Sequence, residues 1–217
     1  MGNIVLILEI IVGLTGLVKF RKLTRPFKLL VIWLIIDLFA YPLNKLCISI
    51  YKNNALLEHV QNMLQYSTYA IIYYYLFINR RIKQIVLYSI PVVLMLSIID
   101  GCFFEHFTKT FPTYLVMPEH VIYVIFTILL FKQMLQYPVQ MNITKQSVFW
   151  LNTGVLFFST TMFLTLSLSN NIAKYPREEV MLILYFWYSI DIIFSILLLV
   201  AILNDNNLRS VSNGKQQ

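Results

Sequence analysis

Charge is what this chain has least of. Asp, Glu, Lys and Arg supply only 12% of its 217 residues, against 59% hydrophobic residues. That balance, with a positive mean hydropathy, excludes an ordinary soluble domain. Acids are scarcer than bases, 10 against 17, and the net charge is +7. The bases are nevertheless divided among separate loops rather than gathered on one face, which excludes a nucleic-acid interface. Period-two alternation is missing too. Runs such as "IIFSILLLVAIL" are apolar on every side, so an outer-membrane barrel is excluded. The first apolar segment has neither a basic leader nor a small-residue cleavage site and is expected to be retained. "MGNIVL" lacks the serine or threonine of a myristoylation signal, and "GKQQ" is no prenylation box. No His-x-x-x-His or Cys-x-x-Cys spacing occurs, which removes the usual metal-ligand signatures.

Long apolar blocks are what remains. Seven of them, near 3–19, 27–51, 56–78, 84–101, 117–136, 147–169 and 179–203, approach the roughly 20 residues that cross a bilayer. The expected fold is all-α: a polytopic membrane protein built as a seven-transmembrane-helix bundle over 1–203, with a polar cytoplasmic tail at 204–217. Basic residues favour cytoplasmic loops. Lys19, Arg21, Lys22, Arg25 and Lys28, then Arg80, Arg81 and Lys83, then Lys132 and Lys145, and finally Arg209 and Lys215 fall on one side. Lys45, Lys52, Lys109, Lys174 and Arg177 fall on the other. Twelve against five predicts the N-terminus outside, the C-terminus inside, and a multi-pass place in the plasma (bacterial inner) membrane. Anionic membrane lipids are expected partners through the same charges.

Read at helical spacing, the polar residues form an inward stripe. Helix 1 offers Glu9, Gly13 and Gly16, and helix 2 offers Asp37, Tyr41 and Asn44. Helix 3 carries His59, Asn62, Tyr66, Tyr69 and Tyr73; helix 5 carries His120, Tyr123 and Thr127. Helix 6 adds Asn152 and Ser159, and helix 7 adds Tyr188, Asp191 and Ser195. Helix 4 contributes little beyond Asp100. Within these spans, only Pro42 and Pro91 interrupt helix interiors. Most of this chemistry falls in the outer half, so an outward-opening, tyrosine-rich cavity is expected. His59, Asn62, Tyr66, Tyr69, His120, Tyr123 and Tyr188 are its candidate ligand residues. A tyrosine stripe also serves packing and interfacial anchoring.

Glu9, Asp37 and Asp191 form a second candidate set. Asp37 and Asp191 fall near the midplane, where no lysine or arginine shares their depth. A charge there costs roughly 2.5–3.5 kcal/mol. The three acids are therefore expected either to join helices as neutral hydrogen-bonding groups or to form a proton or cation site.

Every histidine follows a glutamate: Glu58-His59, Glu105-His106 and Glu119-His120. Adjacent residues on a helix diverge by about 100°, so one pair does not close on one metal. No metal site and no cofactor is expected, and these residues are read as solvated or ligand-contacting groups at the outer mouth. Cys47 and Cys102 share the outer side; they either pair in an oxidising compartment or pack as free thiols.

Helix 6 reads "SVFWLNTGVLFFSTTMF" and helix 3 ends "STYAIIYYYLFINRR". With the seven-helix layout, the chain resembles the small, uncharacterised seven-helix integral membrane proteins of Bacteroidetes-type bacteria. The resemblance implies a fold and a localisation and no mechanism. Three other seven-helix classes fail by residue. A retinal pigment needs a lysine in the last helix, and 180–203 has none. Ceramidase-like and adiponectin-receptor-like hydrolases place two histidines in the last helix, and helices 6 and 7 have no histidine. SWEET-type sugar transporters carry a Pro-Gln motif and paired prolines that are missing here.

The expected function is non-enzymatic, with no catalytic residues: a ligand-sensing or receptor-like subunit for a small molecule, working with a signalling partner protein because its own loops are short. A small proton- or cation-coupled transporter is the alternative, and a metal-dependent hydrolase using His59, His106 and His120 the third reading. Ser195 is the last polar residue before Asn204 on helix 7, which disfavours passage inward.

Overall fold

The computed structural model describes residues 2–103, 113–138, 142–169 and 177–205, and the side chains of 113–115, 168–169 and 177 fall outside that description. Glu105, His106, Lys109, Lys174, Arg209 and Lys215, all used above, lie outside the described residues. Within them the chain is all-helical, with no strand. Its α-helices are α1 (Gly2–Lys19), α2 (Arg25–Tyr51), α3 (Ala55–Leu76), α4 (Arg80–Phe103), α5 (Thr113–Gln136), α6 (Ser147–Ser169) and α7 (Arg177–Asn204). Short 3-10 turns occupy Phe20–Lys22 and Ile143–Lys145. By length and composition, six of the seven α-helices are able to cross a membrane, the exception being α3. The reason is composition: Gln61, Asn62, Gln65, Ser67 and Thr68 dilute α3, although its 22 residues reach about 33 Å.

Exposure follows the rule for a lipid-facing surface. Ile4, Ile7, Ile11, Leu14 and Val18 make an exposed 3-4 stripe on α1, opposite buried Val5, Val12, Gly13 and Gly16. Ile85, Tyr88, Val92, Met95 and Ile99 do the same on α4. Five hydroxyls in α6 are satisfied locally: Thr153, Thr160, Thr161, Thr165 and Ser167 donate to carbonyls four residues back, a bond that lets them face an apolar medium.

The chain divides into two compact units. The first holds residues 1–24 and 120–217, hence α1, most of α5, α6 and α7. In it α6 and α7 run antiparallel in constant register: Ser147 meets Asp205, an added Cβ on Gly154 would meet Leu197, and Phe158 stacks on Phe194 at 4.6 Å. The α5–α6 pair is antiparallel as well, through His120–Phe158, Asn152 donating to the Thr127 carbonyl, and Phe131–Phe149. In contrast, α1 and α7 are parallel, since Gly2 lies by Tyr188 and Lys19 Nζ donates to the carbonyls of Ile202 (3.1 Å) and Leu203 (2.7 Å). That ammonium satisfies carbonyls that the end of α7 leaves open and sits at its negative dipole end.

The second unit, residues 25–119, contains α2, α3 and α4 as two successive antiparallel hairpins. Tyr66 donates to Ser89 Oγ at 2.8 Å, and Lys83 lies 5.3 Å from the Tyr74 ring centroid, which sets the α3–α4 register. Leu30, Val31 and Leu34 of α2, Ile72 and Tyr73 of α3, Phe77 just after α3, and Val86 of α4 fill the half of this unit nearest the α3–α4 turn.

Two expectations need correction. The span 117–136 begins earlier than expected, at Thr113, so Pro118 is a third proline inside a helix. It is the sixth residue of α5, just past the first turn, so it removes one intrahelical N–H bond near the start of the helix. Likewise α4 begins at Arg80, so its basic cluster is its first turn rather than a loop.

Candidate functional site

In the second unit the polar residues of α2 and α3 meet as a ladder. Gln61 Nε2 donates to Asp37 Oδ1 at 2.5 Å, and Gln61 Oε1 accepts from Asn44 Nδ2 at 3.3 Å. Asn44 Oδ1 accepts from Asn54 Nδ2 at 3.1 Å, and the same Asn54 amide donates to Glu58 Oε1 at 2.9 Å. Two carboxylates are thus joined through three amides. The line runs from the middle of α2 to the start of α3, where Asn54 stands at the N-cap position. Asp37 and Asn44 are seven residues apart and share a helix face, about 10 Å along the axis. A single glutamine across the hairpin serves both.

Beside it, Asn62 Nδ2 donates to Glu119 Oε2 at 3.0 Å. Glu119 is 2% exposed, and its Oε1 has no hydrogen-bond partner among the described residues. On α4, Ser97 and Asp100 share a face and are buried. Thus α4, read as nearly silent, contributes Ser89, Ser97 and Asp100 to the interior.

The seven candidate ligand residues divide between the units. His59, Tyr66 and Tyr69 are buried in the packing of α3, and Asn62 is half-buried. His120 and Tyr123 are buried on α5 with ring centroids 6.0 Å apart, and His120 also meets Phe158 edge-on at 5.8 Å. Tyr188 is half-buried, beside Gly2. His120 is a correction in depth. With α5 starting at Thr113, it lies about 10 Å along the helix rather than at the mouth, level with Phe158 in the middle of α6. Its aromatic surroundings are those of a packed ring, and Nδ1 is buried with no hydrogen-bond partner among the described residues.

The three acids read as buried are only half-buried: Glu9, Asp37 and Asp191. Among the described residues, Asp100, Glu119 and Asp205 are the buried acids. Asp37 sits near the middle of α2 and Asp191 near the middle of α7, as expected. Within the first unit, the parallel register sets Glu9 within about one helical turn of Asp191 in height. Asp205, assigned by sequence to the polar tail, is instead fully buried. Its Oδ2 accepts from the Thr24 backbone N–H at 2.7 Å, and its Oδ1 accepts from Thr24 Oγ1 at 3.0 Å and Ser147 Oγ at 3.3 Å.

A cavity of about 540 Å³ opens at the α2–α3 hairpin, lined by Cys47, Tyr51, Asn53, Asn54, Ala55, Leu56, Leu57 and Val60. None of the seven candidate ligand residues lines it. Cys47 and Cys102 are both free thiols. Among the described residues no group of three or more His, Cys, Asp or Glu is placed to hold a metal ion.

Gln61 and Asn54 were missed by the helix-by-helix stripe. The available signal was local: Asn53-Asn54 ahead of an apolar run, with Glu58 four residues on, is a helix-start pattern. Compared with family models, curated proteins and solved structures, the chain matches none.

Proposed function

We propose that the protein is a seven-span receptor-like subunit of the bacterial inner membrane, with its N-terminus outside, that senses a small molecule at its outer face. It performs no covalent chemistry and passes its signal to a partner in the membrane. The observation that carries this reading is the ladder from Glu58 and Asn54 to Asp37, which joins the α2–α3 hairpin to the middle of α2. An event at the hairpin is transmitted to a carboxyl in the middle of α2, next to which Tyr69 and then Tyr73 follow on α3. Three further points support the topology. The α2–α3–α4 hairpins are antiparallel, so if α2 and α4 cross, α3 crosses between them despite its polarity. The parallel run of α1 and α7 fits an even number of reversals between them. Basic residues favour the side of the α1–α2 and α3–α4 turns. The chain also resembles the small seven-helix membrane proteins of Bacteroidetes-type bacteria, in line with that localisation.

Trp33 is one turn from Asp37 on α2 and only 3% exposed, so it reports on the ladder's inner end. With Trp150 and Trp187 replaced by phenylalanine, its emission in lipid nanodiscs is expected to shift as the pH is taken from 5 to 8. The shift is expected to vanish in Gln61→Leu. Silence of Trp33 in the parent protein sinks the reading. An introduced Asn3→Cys is expected to label from outside intact cells; labelling only after permeabilisation reverses the topology.

A proton- or cation-coupled carrier is the second reading, favoured by one observation: Glu9 and Asp191 share a height on α1 and α7. Vectorial proton or sodium uptake into proteoliposomes, lost in Asp37→Asn or Asp191→Asn, would replace the sensor with the carrier.

A further inference from the structure

The hairpin cavity has no role in the ladder itself, yet Asn54 belongs to both. Its walls are apolar: Leu56, Leu57, Val60 and the ring of Tyr51, with Leu56, Val60 and Tyr51 exposed. Its rim is polar, and one side chain of each charge stands next to the lining residues. Asn53 and Asn54 line it, Glu58 is held 2.9 Å from the Asn54 amide, and the exposed Lys52 stands between the lining residues Tyr51 and Asn53. Lys52 takes a left-handed backbone, φ 58°, in the turn that closes the hairpin. About 540 Å³ falls within the roughly 300–1,000 Å³ of small-ligand sites, and an apolar body with a few placed polar groups is their usual design.

We propose that this cavity binds the apolar chain of a zwitterionic amphiphile whose head carries a primary ammonium and a phosphate. The chain lies along Leu56, Leu57 and Val60. The ammonium faces Glu58 and the amide oxygens, and the phosphate faces Lys52. A neutral body with a two-signed head matches the two-signed rim, whereas a purely anionic head leaves Glu58 opposed and a purely cationic head leaves Lys52 opposed. Binding acts on Asn54, which holds both Asn44 and Glu58, and so reaches Gln61 and Asp37 through bonds already in place. This assignment rests on the receptor-like reading and gives it a ligand class.

The test is native mass spectrometry of the full chain in detergent with added 16-carbon lysophosphatidylethanolamine, using lysophosphatidylglycerol of the same chain as comparison. One adduct per protein is expected, with at least tenfold preference for the ethanolamine head. Lys52→Glu, a change at an exposed side chain, is expected to weaken binding about tenfold. Leu57→Trp, which fills the cavity, is expected to abolish it; Leu56→Trp, at an exposed position, serves if Leu57→Trp fails to fold. A diacyl phosphatidylethanolamine that binds equally well identifies the bilayer as the source; binding of the single-chain form alone identifies a free amphiphile. No adduct, equal retention of the glycerol head, or an adduct indifferent to Lys52→Glu and to the cavity-filling variant overturns the proposal. Its failure leaves the Trp33 response standing, whereas a bound lipid with a silent Trp33 leaves the site and removes the sensor.

Discussion

Replacing Asp205 with alanine is the sharpest stability experiment the fold offers. The side chain is fully buried where the α1–α2 turn, the start of α6 and the end of α7 meet, and it accepts from three donors. The 2.7 Å bond from the Thr24 N–H and the 3.0 Å bond from its hydroxyl have good length, while the 3.3 Å bond from Ser147 is long. Hydrogen bonds to a charged group contribute about 1.5–3 kcal/mol each, and leaving a buried donor unsatisfied costs about 1–3 kcal/mol. Shared partners make these terms non-additive. Ser147 is fully buried and stays orphaned, whereas Thr24 is half-buried and recovers part of its loss from water. The expected cost of Asp205→Ala is therefore about 3 kcal/mol, a factor of more than 100 in the unfolding equilibrium. Asp205→Asn keeps one acceptor oxygen and loses the charge, so about 1 kcal/mol is expected. Reversible unfolding of both variants in mixed detergent micelles, titrated with a denaturing detergent, gives the difference directly. An alanine variant within about 0.5 kcal/mol of the parent, or an asparagine variant as damaged as alanine, would refute the clamp.

Other expectations follow from single contacts. An added Cβ on Gly154 stands 3.3 Å from the Leu197 Cβ, so Gly154→Ala should cost about 1 kcal/mol and Gly154→Leu about 3 kcal/mol in the same titration, with Gly2→Ala, at 3.6 Å from Tyr188, nearly neutral. Lys19→Met removes the donor to the last carbonyls of α7 and should cost about 0.5–1 kcal/mol, with faster amide exchange confined to the end of that helix. Asp37→Asn keeps an oxygen for Gln61 and should fold like the parent, while Asp37→Leu strands the glutamine amide and should cost about 1–2 kcal/mol. Protein purified without chelators should carry well under one equivalent of zinc by elemental analysis; stoichiometric zinc lost in His59→Ala would restore the hydrolase.

Seven helices were legible in the sequence because a membrane-spanning helix is a one-dimensional object. Its length is set by bilayer thickness, and its backbone bonds lie within itself. Six helices of spanning length and composition were visible from apolar length alone; the block at 56–78 was read in the same way, but Gln61, Asn62 and Gln65 leave α3 outside that set. Mid-helix positions for Asp37 and Asp191 followed from counting along the same axis. Helix starts were less secure: Pro118 reads as a first-turn residue, but α5 extends to Thr113, and that shift carries His120 to the level of Phe158. Which polar residue meets which was decided only by tertiary packing. The spacing of Asp37 and Asn44 marks a shared face, but that one glutamine of α3 serves both depends on the register of the hairpin. His59, Tyr66 and Tyr69 have the composition of a ligand wall and are spent on packing, because α3 is buried between α2 and α4. Asp205 sits in a polar run, and burial there comes from the donors of Thr24 and Ser147, separated from it by 181 and 58 residues. A hydrogen bond needs its partner within about 3 Å, and distances across the chain at that scale exist only once the helices have packed.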